Sequence, residues 1–411
     1  MNERAKEPHP PSIIARRWAW GVGLLLLLTA LAAAQTDKAM SAYRSVEKDY
    51  DEALAGFQKA YLTAKTVAEQ QKAFKDLYPT PEAYAPRFMQ VAVDHPGGPA
   101  AANALVWVVL HPVEPPGRGS ELRAKALRQL VRDHVQDEKL GRLATQLVFS
   151  LDDASEEFLR AVLDKAKAKG TQARACAALA QNLKHRGRLV PRLKADPAAV
   201  ARYEKAWGKA VTAALMKRDP AALLARAERL FERVAAQYGD VRHPVHGSLA
   251  KLARANLEAL RRPVELGHSA PPVEGVDLAG KKLTLADYRG KVVLLDFWAS
   301  GLPSCRAGWP VERALLKRLA GKPFAVLGVN ADSDRKALAA VLREEKITWP
   351  SWSDGGFTGG PLATRWEVEV WPTLFLIDAN RVVRKQFFGW AGSKEIEAAI
   401  DELVRETAVT R

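Results

Sequence analysis

Apolar residues recur at three- and four-residue spacing through much of the first 262 residues. The runs are Tyr50–Leu77, Leu122–Val135, Leu140–Leu151, Glu156–Ala168, Gln172–Lys184, Ala198–Lys217 and Ala221–Tyr238, and that period predicts helix after helix. The connections carry breakers: Tyr78-Pro79-Thr80-Pro81, Pro96-Gly97-Gly98-Pro99, and Pro112 through Gly119. Asp219-Pro220 places an N-cap and a first-turn proline ahead of one helix. No fixed-period repeat runs through the segment, so it reads as an all-helical bundle or short solenoid over residues 37–262.

The pattern changes after Arg262-Pro263. Ser269-Ala270-Pro271-Pro272 reads as a linker or domain entry. Beyond it, strand-like and helix-like stretches alternate. Lys282–Leu285, Lys291–Phe297 and Phe324–Val329 read as strands. Thr373–Ile377 and Val382–Phe388 read as a hairpin turning at Asp378–Arg381. Val311–Leu319, Arg335–Glu345 and Lys394–Val404 read as helices. Strand–helix–strand followed by a hairpin and a closing helix predicts a mixed central sheet with helices on its faces, spanning 266–405. The chain is thus α+β and multidomain.

The first 36 residues form a third segment. Arg16 and Arg17 precede a 19-residue uncharged stretch, Trp18 to Thr36, that contains Ala32-Ala33-Ala34. That is the layout of a signal peptide, and its length also suffices for an uncleaved anchor. The expectation is export to the cell envelope or periplasm, with the N-terminus cleaved or retained as a transmembrane helix.

Composition narrows the chemistry. The net charge is +15. From Leu266 onward 20 basic residues face 18 acidic ones, so the excess lies in the helical region. There it is spread over many helices without a recognition motif, which reads as a solvated surface and not a nucleic-acid site. Only Cys176 and Cys305 are present. Two cysteines exclude a disulfide-stapled scaffold and a cysteine-based zinc site. The histidines are scattered, and Pro244 separates His243 from His246, so neither a metal site nor a cofactor is expected. Cys176 falls on the apolar face of a helix and reads as packing.

Phe297-Trp298-Ala299-Ser300-Gly301-Leu302-Pro303-Ser304-Cys305-Arg306 resembles the Phe-Trp-Ala-Ser-Trp-Cys-Pro-Pro-Cys-Arg active site of exported thioredoxin-like proteins, the TlpA/ResA or AhpC/TSA redoxin family. Gly290-Lys291-Val292-Val293-Leu294 ahead of it, Pro310 after it, and Trp371-Pro372-Thr373 further on agree in order and spacing. Gly328–Asp332, Ile347–Trp349 and Thr364–Trp366 are similar to planctomycete members, which also carry a long helical N-terminal region. The resemblance covers about 140 residues and implies a thioredoxin-like fold and thiol–disulfide oxidoreductase ancestry.

It also implies roles. Asp296 falls where many thioredoxins keep a buried proton-relaying carboxylate. Pro372 matches the cis-proline of the loop that pairs with an extended substrate peptide, and Trp371 and Trp298 would line an apolar groove beside it. Cys305 matches the second, resolving cysteine. The attacking position is Leu302, which has no nucleophile. Exchange needs an attacking thiolate and a second thiol, so dithiol exchange is expected to be weak or absent. Two other readings stay open: a redox-inactive module that binds exported peptides or proteins, with or without cysteines, and a one-cysteine peroxidase. The peroxidase reading lacks support, because Leu302 and Trp298 stand where its Thr/Ser and Pro are needed. The sequence leaves the oligomeric state open.

Overall fold

The computed structural model describes residues 13–111, 118–356, 359–390 and 393–409, with side chains from residue 35 onward except 118–120. The targeting segment, residues 1–36, therefore lies for the most part outside the described side chains. Among the described residues no helix is long and apolar enough to cross a membrane. The chain divides into two compact units, Met1–Leu223 and Leu224–Arg411.

The first unit is helical among its described residues. Its helices are α1 (Ile13–Thr63), α2 (Val67–Leu77), α3 (Pro81–Asp94), α4 (Pro99–Leu110), α5 (Arg118–His134), α6 (Lys139–Gln146), α7 (Asp153–Lys165), α8 (Lys169–Ala195), α9 (Pro197–Trp207), α10 (Lys209–Met216) and the start of α11 (Pro220–Tyr238). Two runs that read as single helices are each broken in two. Tyr50–Leu77 breaks at Thr66, whose hydroxyl accepts the Glu69 N–H while the Glu69 carboxylate accepts the Thr66 N–H. This reciprocal cap satisfies two of the N–H groups that a helix start leaves unpaired. Ala198–Lys217 breaks at Gly208, where φ is +87°, a conformation glycine adopts without penalty. Helix α4 has no polar face: eight of its twelve residues, Ala100 to Val109, are buried. A helix apolar all round has no amphipathic period to detect.

Helices α5, α7 and α8 are tied by a buried ionic cluster. Arg186 on α8 donates to the Glu156 carboxylate at 2.9 Å and to the Asp152 carbonyl at 2.6 Å. Both Arg186 and Glu156 are buried. Arg123 on α5 donates to the Asp152 carboxylate at 2.5 Å.

The second unit begins within α11. It includes a two-residue ladder, β1 (Arg242–His243) with β2 (Gly247–Ser248), and then α12 (Leu249–Arg261), ahead of residue 266 where the sequence texture changes. Helix α12 packs on α16 (Pro361–Arg365), and Arg365 donates to the Arg262 carbonyl at 3.0 Å. A small antiparallel pair, β3 (Glu274–Val276) and β4 (Lys282–Thr284), precedes the main sheet. That sheet has the order β7-β6-β5-β8-β9. Its strands are β5 (Val292–Trp298), β6 (Phe324–Asn330), β7 (Ser351–Ser353), β8 (Thr373–Ile377) and β9 (Val383–Phe388). β5 runs parallel to β6 and antiparallel to β8, so the sheet is mixed, and β8–β9 form the expected hairpin.

Every residue of β5 and β6 is buried, as expected for central strands covered on both faces. Alternation sorts them. Leu294 and Trp298 face a core shared with Trp309, Trp390 and Ile400, while Leu295 and Phe297 face a core with Trp352, Trp366 and Phe375. The first face is covered by α14 (Trp309–Arg318) and α17 (Ser393–Val409). Short α13 (Pro303–Arg306) links β5 to α14, and α15 (Arg335–Glu344) follows β6. β7 and α16 carry too few residues for a period and were not legible beforehand.

The Arg186–Glu156 pair yields a test. Removing one partner strands a buried charge, which costs about 3–5 kcal/mol. Glu156→Ala should therefore shift the denaturant midpoint of the helical signal sharply downward. Replacing both residues by apolar ones, Arg186→Met with Glu156→Leu, should recover most of the loss. A Glu156→Ala loss below about 1 kcal/mol, the scale of a surface pair, would show that the cluster is not a structural tie.

Candidate functional site

β5 ends at Trp298 and the chain turns through Ala299–Gly301 into α13. Leu302 is the N-cap of that helix, with extended backbone (φ −98°, ψ 120°) and no capping side chain. The Cys305 and Arg306 N–H groups donate to the Leu302 carbonyl at 3.1 Å. A side chain at this N-cap stands at the electropositive end of the helix, where a thiolate is stabilised. Leucine offers no atom to use that field. Its side chain is half-buried against the core beneath.

Cys305 lies one turn on and is fully buried. Burial, helped by the nearby Asp296 carboxylate and opposed by a hydrogen bond from the Ala299 backbone, pushes its thiol up to about 12. Cys176, in α8, is also a buried thiol, and neither sulfur is in a disulfide.

The helix then breaks. Pro310 has no N–H to return to Arg306, and the chain restarts as α14 with Gly308 at its N-cap. Gly308 is required by packing. A Cβ there would lie 1.9 Å from the Trp390 indole nitrogen.

Below α13 are two acids. Asp296, on β5, and Glu312, on α14, are both completely buried. Among the described residues none of their four carboxyl oxygens has a hydrogen-bond partner, and each carboxyl acts electrostatically on the other. Burial pushes Asp296 up to about 8. Burial and the Asp296 charge push Glu312 well above the carboxylate range. Opposite Asp296, β6 presents Gly328. A Cβ at Gly328 would lie 2.2 Å from Ser351 Oγ and 2.6 Å from the Trp298 indole nitrogen. Asp296 was anticipated from the motif. Glu312 was not, because a single acid on an amphipathic helix reads as solvent-facing; its spacing of three from Trp309 is the one hint that it shares the buried face.

The Trp371–Pro372 peptide is cis. The Ser304 hydroxyl donates to the Trp371 carbonyl at 3.3 Å, and the Gly389 N–H donates to the Pro372 carbonyl at 2.9 Å. These bonds seat the proline loop between α13 and the end of β9. Trp371 is half-buried and packs on both cores, and Val370 beside it is 48% exposed. Leu302, Ser304, Val370 and Trp371 thus lie at the surface around this loop, while Pro372 itself is buried. Trp298 does not join them. It is fully buried, edge-on to Trp309 at 5.6 Å, because alternation along β5 turns it into the α14-covered core. As a groove wall it is replaced by Trp371 and Val370.

The AhpC/TSA family model matches residues 266–386. A thioredoxin-like protein, YneN, from Bacillus subtilis is 30% identical over 141 residues, 34% of this chain and 80% of that protein. The thiol-disulfide oxidoreductase ResA of Bacillus thuringiensis is 27% identical over 140 residues, 34% of this chain and 79% of that protein. The crystal structure of a secreted thiol-disulfide isomerase from Corynebacterium glutamicum matches 33% of this chain and 84% of that one, at 26% identity and a TM-score of 0.30.

The acid pair makes stability pH-dependent. In the unfolded chain both carboxyls ionise near pH 4, whereas the folded pair holds its protons to a higher pH. Unfolding therefore releases protons, and stability is full below about pH 4 and is lost as pH rises toward 8, by up to about 1.4 kcal/mol per pH unit for each proton released. Thermal melts between pH 5 and 8 should show this fall, and Asp296→Asn should flatten it. A wild-type melting temperature that rises over this range, with no difference in Asp296→Asn, would contradict the assignment.

Proposed function

The chain belongs to the AhpC/TSA family of thioredoxin-like proteins, and from that premise we propose that it is a cell-envelope member whose site holds peptides and does not exchange disulfides. The observation that carries this reading is Leu302 at the N-cap of α13, above a sealed Cys305 and beside an intact cis-proline loop. Exchange starts when a thiolate attacks a disulfide sulfur, and a second thiol then resolves the mixed disulfide. The attacking position has no sulfur. The remaining sulfur holds its proton at neutral pH and has no route to a bulky substrate.

The peptide-docking parts need no sulfur. An extended peptide adds along the cis-proline loop by main-chain hydrogen bonds, and Leu302, Val370 and Trp371 offer it apolar contact. The partners are exported proteins or peptides, with or without cysteines. The uncharged Trp18–Thr36 stretch after Arg16-Arg17 supports export, either as a cleaved signal or as an anchor. The helical unit, which ends at Leu223 and not at residue 262, is a separate part of the same envelope protein.

Peptide arrays of exported sequences, screened with the full chain, test the reading. Bound peptides should shift the backbone amide signals of Leu302, Ser304, Trp371 and Thr373, and Pro372→Ala should weaken binding about tenfold, the scale of one or two lost hydrogen bonds. Peptides that bind only when they carry a disulfide, or shifts confined to the helical unit, would overturn it.

A further inference from the structure

The acid pair lies immediately beneath α13. Asp296 acts electrostatically on both the Cys305 thiol and Glu312, and all three groups are fully buried with no donor bonded to either carboxyl among the described residues. The cover over these groups is thin. Of the four residues of α13 only Cys305 is buried, and Pro303, Ser304 and Arg306 are exposed. Besides its backbone, the segment is held at its surface by Ser304 Oγ to the Trp371 carbonyl at 3.3 Å, Arg306 Nε to the Ser300 carbonyl at 2.8 Å, an Arg306–Glu345 ion pair at 3.5 Å and the Arg306 guanidinium over the Trp309 ring. An exposed Gly301, with open space around it, precedes the helix, and Gly308 follows it.

We propose that Asp296 and Glu312 form a proton-loaded latch that fastens α14 to β5 and keeps Cys305 sealed, and that losing a proton from the pair opens the α13 cover. The physical cause is desolvation. A carboxylate in this core has no bonded donor among the described residues, and an unpaired buried charge is strongly unfavourable. When the pair loses a proton to solvent, the cheapest relief is entry of water, and α13 is the thinnest wall.

Among the described residues no cation is bonded to the pair. β6 and β8 present Gly328 and Leu374 opposite Asp296. The buried side of α17 is mainly apolar, with Ile396, Ala399, Ile400 and Leu403. On α14 the one cation acting on the pair is Arg313, whose guanidinium donates to the Glu345 carbonyl. Asp332, after β6, carries a negative charge that also acts on Cys305.

The test joins two readouts on the full chain. Infrared spectroscopy should show a buried protonated-carboxyl band that persists at neutral pH and declines as pH rises through about 8. In parallel, maleimide labelling of Cys305, separated from Cys176 by peptide mapping, should climb by more than the tenfold per pH unit that one ionising thiol supplies, because opening releases a proton of its own. In Glu312→Gln the band should shrink to what Asp296 alone supplies, and, because the amide can donate to the Asp296 carboxylate when it ionises, the labelling slope should return to tenfold or less. If that variant does not fold, Asp296→Asn should flatten the slope in the same way. A wild-type slope of tenfold or less, or a steep slope that survives in the folded variant, would overturn the latch.

Discussion

The first turn of α13 is where backbone N–H groups can hold a negative sulfur, and Leu302 occupies it. The rest of the site follows from that placement. The one sulfur in the motif lies a turn further on, where β5, α14 and the Trp298–Trp309 pair enclose it. A thiol so enclosed keeps its proton and behaves as a small apolar group. The fold does not suffer, because a half-buried leucine at the N-cap packs onto the same core. The proposed peptide-docking role therefore needs no sulfur at this position. The cis-proline loop remains seated by Ser304 and Gly389 whether or not a sulfur stands beside it.

The second constraint is the pair of acids. A thioredoxin-like core with one buried carboxyl has to leave it protonated or provide a cation. This core provides a second acid. The pair stays neutral by keeping its protons, at the cost of making the core depend on pH. Gly328 and Gly308 show how closely the surroundings are packed, since each lacks a Cβ that would strike Trp298 and Ser351 or Trp390.

The larger part of the second unit was legible in the sequence. The apolar run Val292–Leu295 marks a strand buried on both faces, and the Asp378–Arg381 turn marks the hairpin. Cys305, Leu302, Asp296 and Pro372 are placed by one contiguous motif and one distant tripeptide, and the structure brings them to one end of the sheet. What was not legible depends on contacts distant in sequence. Glu312 looks like any surface acid on a helix until α14 is laid on β5. Trp298 looks like a groove residue until alternation along β5 turns it inward. In the first unit, α4 escapes a periodicity reading because it is apolar on all sides. The breaks at Thr66 and Gly208 depend on capping and backbone conformation, which hydrophobic spacing does not report.

Catalysed reduction of a protein disulfide, measured side by side for the wild-type chain and Leu302→Cys, tests the central claim most directly. With a thiol restored at the N-cap above Cys305, the variant should gain turnover that the wild type lacks. Wild-type turnover that disappears in Cys305→Ser would show that the lone sulfur is reactive, and would contradict the account.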